Sequence, residues 1–103
     1  MGVIEPKVRE ELEAMRAQYE VRSYAELANL GWIDLAPLTI QEEVYRPSIW
    51  SEDYNGKLLI VVQLQGNLWL GWKRTACIGS ILSQDGEIEH VDEFFLMNEI
   101  GHP

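Results

Sequence analysis

The sequence predicts an α+β domain: one or two N-terminal helices packed on a four-stranded antiparallel meander. Three observations carry the prediction. An apolar stripe at helical spacing runs through Pro6 to Glu20. A long run of β-forming residues, Lys57 to Leu82, is split by the turn pair Gly66-Asn67. The later segments are short, alternating and joined by turn dipeptides, which suits hairpins and leaves no room for parallel crossovers.

Met1 to Ile4 is short and apolar. Pro6 suits the first turn of a helix. Val8, Leu12, Met15 and Tyr19 follow at steps of four, three and four, which places them on one helical face. Glu5, Arg9, Glu10, Glu13 and Arg16 form the solvated side, with Glu5 and Arg9 spaced for a minor ion pair. Ser23-Tyr24-Ala25-Glu26 matches a capping box, so a second short helix is expected to about Leu30, with Gly31 as its stop. Trp32, Ile33 and Leu35 read as a buried connector, extended before Pro37.

Leu38 to about Arg46 reads as the first strand, on an edge because its alternation is weak and Pro47 follows. Ser48 to Gly56 reads as a loop that holds Ile49, Trp50 and Tyr54 and closes on the tight-turn pair Asn55-Gly56. The central hairpin comes next. Ser83-Gln84-Asp85-Gly86 is a turn, and Glu87 to about Met97 is the last strand, polar first and apolar later. The order fits a curved, cystatin-like roll around an N-terminal helix, an analogy of topology with no residue motif behind it.

The hairpin decides the faces of the sheet. Leu58, Ile60, Val62 and Leu64 share one side of its first strand, and Leu59, Val61, Gln63 and Gln65 the other. A two-residue Gly66-Asn67 loop would pair Leu64 with Trp69. A three-residue loop would pair Leu64 with Leu68 and gather Leu58, Ile60, Val62, Leu64, Leu68, Leu70, Trp72 and Ile78 on one face. Turn chemistry favours the first and burial the second, and burial is the stronger constraint. Leu59, Val61 and Trp69 then lie among polar neighbours on the outer face, where a partner is expected.

At 103 residues the chain is read as one domain, residues 1–103. Its charge of −9, from 17 acids against 8 bases, speaks against neutralising phosphates, so neither nucleic acid nor an anionic membrane is an expected partner. The single Cys77 leaves no internal disulfide, and from a charged start with no long apolar run neither a leader nor a span is expected. A cytoplasmic protein is expected.

Motifs for chemistry are missing. His90 shares its strand face only with Asp92, which is too little for a metal site, and it has no recognisable nucleophile. No serine lies in a Gly-x-Ser-x-Gly elbow, and no glycine run forms a phosphate loop. Gly71 and Gly79 mark bulges or close backbone approach. No catalytic residue, metal or cofactor is therefore expected. The unusual feature is aromatic: four tryptophans, of which Trp32 and Trp72 are expected in the core and Trp50 and Trp69 at a surface.

The expected function is a non-catalytic, acidic interaction domain, homodimeric through sheet faces or edges. Its ligand or interface residues are Tyr45, Trp50, Tyr54, Leu59, Val61 and Trp69. Charged substitutions at Trp69 or Val61 should then break the dimer. One alternative is a carrier for an apolar or cationic small molecule in an aromatic pocket. The other is an inhibitor of a basic enzyme, acting through Asp85, Glu87, Glu89, Asp92 and Glu93.

Overall fold

A computed structural model describes residues 5–67, 73–92 and 96. Helix α1, Pro6–Glu20, starts where Pro6 fixes the first turn and the Glu5 carboxylate accepts from the Val8 N–H at 3.2 Å. Its buried residues are Val8, Leu12, Met15 and Tyr19, the stripe read from the spacing. Helix α2, Tyr24–Ala28, is separate because the capping box closes: Ser23 Oγ accepts from the Glu26 N–H at 3.2 Å, and Glu26 Oε1 accepts from the Ser23 N–H at 3.4 Å. Gly31, at φ +65°, turns the chain into the sheet.

Among the described residues the sheet has six antiparallel strands, two more than the sequence suggests: β1 Trp32–Asp34, β2 Leu38–Ile40, β3 Glu43–Tyr54, β4 Lys57–Asn67, β5 Lys73–Leu82 and β6 Ile88–Val91. Their order is β1-β3-β4-β5-β6, with β2 also paired to β3. The expected connector at Trp32 is thus a short edge strand. The expected strand from Leu38 is two strands that reverse at Gln41 and Glu42. The expected loop after Pro47 is the second half of β3.

Pro47 does not end β3, for a geometric reason. Its carbonyl faces the β1–β2 edge and accepts from the Leu35 N–H at 2.9 Å. In a strand a residue's N–H points to the same side as its C=O. The missing donor therefore faces the break between β1 and β2 and removes no bond from the β3–β4 ladder. Asn55 and Gly56, at φ +50° and +80°, close the β3–β4 hairpin as their sequence implied.

The β4–β5 pair keeps the predicted faces but not the predicted register. Leu64 pairs with Ala76 rather than Leu68, and the pairing runs on to Asn67 with Lys73. Both registers pair even residues with even ones, which is why the apolar face survives. Leu58, Ile60, Val62, Leu64, Ala76, Ile78 and Leu82 pack under α1 with Tyr45 and Ile49. Leu68, Leu70, Trp69 and Trp72 lie outside the described residues. Gly79 confirms the close-approach reading: a Cβ there would meet the Ile60 carbonyl oxygen at 2.7 Å.

The last strand is shorter than expected. β6 stops at Val91, and the Leu96 N–H donates to the Asp92 carbonyl at 3.1 Å, a helical rather than a strand pattern. No helix among the described residues is long and apolar enough to cross a membrane.

Candidate functional site

Register places each side chain of the outer sheet face. Trp32 pairs with Trp50, and Trp50 with Val61. Asp34 pairs with Ser48, and Ser48 with Gln63. Arg46 pairs with Gln65. The face therefore changes character from one row to the next.

On one side of that boundary, and beyond it at Cys77 beside Gln63, it is a second core. Trp50, Leu59, Val61, Cys77, Ile81, Val91 and Leu96 are buried together, with Tyr54 packed against them. Leu59 and Val61 have no exposed surface. They were expected on an open, sticky face and instead lie inside this cluster. A charge at Val61 would consequently test folding rather than dimerisation. Cys77 is a buried free thiol in the same cluster.

On the other side the face is polar. Trp32, Asp34, Leu35, Pro37, Arg46, Pro47, Ser48, Gln63 and Gln65 line a cleft of about 430 Å³. Trp32 stacks on Trp50 with ring centroids 4.5 Å apart and planes within 6°. Its indole N–H donates to Asp34 Oδ1 at 2.9 Å, and the Ser48 hydroxyl donates to the same oxygen at 3.0 Å. These two bonds, Trp32's first, hold the Asp34 carboxyl below the ordinary aspartate range. Asp34 is therefore anionic at neutral pH, while Arg46 supplies a guanidinium and Gln63 and Gln65 supply amides that both donate and accept.

Trp32 and Trp50 exchange the places expected for them, while Trp69 and Trp72 lie outside the described residues. Trp32 is 58% exposed and Trp50 is 6% exposed. The exchange follows from the edge position of β1: the outer strand leaves its indole half open, and that indole covers the one beneath. Tyr45, expected at a ligand surface, is 3% exposed on the helix face, and its hydroxyl donates to Glu43 Oε2 at 3.1 Å. Of the expected site residues, Trp50 reaches the cleft wall through its stack on Trp32. Tyr54 lies beside the second core, and Trp69 is outside the described residues. Asp85, Glu87, Glu89 and Asp92 are exposed along the β5–β6 turn and β6, and Glu93 is outside the described residues.

A second constellation joins residues far apart in sequence. Glu20 Oε2 accepts from the Ser80 hydroxyl at 2.6 Å and meets His90 Nε2 at 2.7 Å. Nucleophilic catalysis needs the imidazole between serine and acid. Here the carboxylate is in the middle and Ser80 is fully buried, so the trio clasps α1 to β5 and β6. No sequence signal could have found it, because the partners are 60 and 70 residues apart. Asp34, Ser48 and Arg46 also carry no local signal, since the sequence there reads as a connector, a loop and the end of a strand.

No family model, curated protein or solved structure matches the chain. The fold and its site define an α+β domain with a polar cleft on a sheet face, and the functional reading rests on that geometry.

Proposed function

We propose that the chain is a non-catalytic binding domain that takes a small polar ligand in the cleft beside Trp32. One observation carries the reading: Trp32 is more than half exposed yet fixed on two sides, by the Trp50 ring and by the Asp34 carboxylate. An exposed aromatic held in one pose loses rotamer freedom, which is the arrangement a preorganised binding wall requires. The cleft floor explains the ligand's polarity. Gln63, Gln65 and Arg46 would be desolvated by an apolar occupant that offers them no partner. This departs from the apolar or cationic ligand that tryptophan content alone suggested. Ser48 gives its proton to Asp34, and no imidazole lines the cleft among the described residues.

Ligand-observed NMR with a library of small polar metabolites tests the proposal. Binders should be found, and Trp32→Ala and Gln63→Ala should each abolish their signals while the fold is retained. Binders unaffected by both substitutions, or no binder at all, would refute it.

A second reading, homodimerisation, has its own observation. Trp32 and Val44, each 58% exposed, lie on the same sheet face, and β1 forms an edge of the sheet. Sedimentation equilibrium would report a dimer that Trp32→Ala dissociates; a monomer at all concentrations excludes it.

A further inference from the structure

We infer that the cleft ligand is a small zwitterion of the α-amino-acid kind, with its carboxylate at Arg46 and its ammonium at Asp34. The inference rests on the binding reading above and names its ligand class.

The argument begins with two opposite charges that share a cleft but not a bond. Asp34 and Arg46 both line it, yet they form no ion pair among the described residues. Asp34 pairs across the strands with Ser48, and Arg46 is two residues along from Ser48, which makes Asp34 and Arg46 a diagonal pair. Such neighbours stand about 7–8 Å apart. That is a backbone spacing which a side chain as long as Arg46 can cross, yet the two do not pair, so both charges are left for a molecule that carries the opposite pair on one carbon.

Each charge is also prepared for its counterpart. Both hydrogen bonds to Asp34 fall on Oδ1, which leaves Oδ2 to accept from an ammonium. Trp32 stands beside it and fixes the carboxylate through its indole N–H. Arg46 offers a planar fork of donors, the geometry that binds a carboxylate through two parallel bonds. A simple cation would meet Arg46 and a simple anion would meet Asp34, so each gains one attraction and one repulsion. A neutral sugar would cover both charges and satisfy neither. Only a ligand with both signs uses both groups.

Isothermal titration with L-leucine, L-glutamine, glycine and L-phenylalanine tests this, each beside its N-acetyl form and its carboxamide. N-acetylation removes the ammonium and amidation removes the carboxylate. At least one free amino acid should bind, with both blocked forms weaker by about tenfold or more, as expected for losing one charge-assisted contact. Asp34→Asn keeps the Oδ1 acceptor and should erase the penalty for N-acetylation only. Arg46→Gln should erase the penalty for amidation only. Equal binding of a blocked form, or penalties unchanged in both variants, would overturn the inference. Binding of D-glucose but of no amino acid would overturn it too, while leaving the cleft as a binding site. A silent panel overturns it as well, and the metabolite screen then decides whether the cleft reading falls with it.

Discussion

Replacing Leu59 by alanine should destabilise the protein by about 3 kcal/mol. The residue is on the outer face of β4, opposite Glu52 on β3 and Ile81 on β5. It has no exposed surface and belongs to the cluster that includes Leu96. The substitution removes three carbon groups, about 2.4 kcal/mol of transfer free energy at roughly 0.8 per group. A cavity adds to this, because a strand bonded on both sides cannot move in to fill it. Unfolding a chain of this length has an entropy of about 0.2 kcal/mol/K, so the thermal midpoint should fall by about 15 °C. Urea unfolding followed by tryptophan fluorescence measures the loss, with an unchanged slope as the check that only stability moved. Lys57→Ala is the control, since Lys57 shares that face but is exposed; its effect should stay within about 0.5 kcal/mol. A loss below about 1 kcal/mol at Leu59 would refute the second core and return this face to solvent.

Two further outcomes follow from local geometry. Glu42 sits at φ +71° in the β2–β3 reversal, where a side chain is strained, so Glu42→Gly should raise stability by about 0.5–1 kcal/mol in the same unfolding assay; a lower midpoint would contradict that backbone. The Asp34 carboxyl is held below its ordinary range by the Trp32 and Ser48 hydrogen bonds. A folded pKa below the unfolded one makes its contribution present above about pH 4 and lost as pH falls through the folded value. The Trp32 indole N–H shift, followed by NMR, should titrate below the ordinary aspartate midpoint, and Ser48→Ala should move that midpoint upward. No movement in the variant would remove Ser48 as a cause.

The sequence exposed the parts of the fold governed by local rules. The α1 stripe, the Ser23 capping box and the Asn55-Gly56 turn each rest on contacts within a few residues, and each is where its motif put it. Parity did the same for the helix-facing side of β4 and β5, since burial constrains alternate residues even when the register is displaced. Three features escaped. The reversal at Gln41 and Glu42 uses positive φ without glycine or asparagine, so it carries no turn signature. Pro47 reads as a strand breaker, and only the break between β1 and β2 makes it harmless. The cleft joins Asp34, Ser48 and Gln63 through strand pairing alone, which local sequence does not encode.

The position of the boundary on the outer face argues that the cleft is more than a solvated half-sheet. Trp32, Trp50 and Val61 form one row, and Asp34, Ser48 and Gln63 form the next. Three strands thus switch from apolar to polar between the same two rows. Solubility alone is met by any charged or hydroxylated residues, and mobile lysines and glutamates serve it well. This face instead uses two amides, a hydroxyl, one carboxylate and one guanidinium, with the carboxylate fixed by two donors. Fixing polar groups on an open surface costs conformational entropy that solvation does not return. A ligand that meets them does, and a carboxylate fixed beside an indole already has the orientation such a ligand would otherwise have to impose.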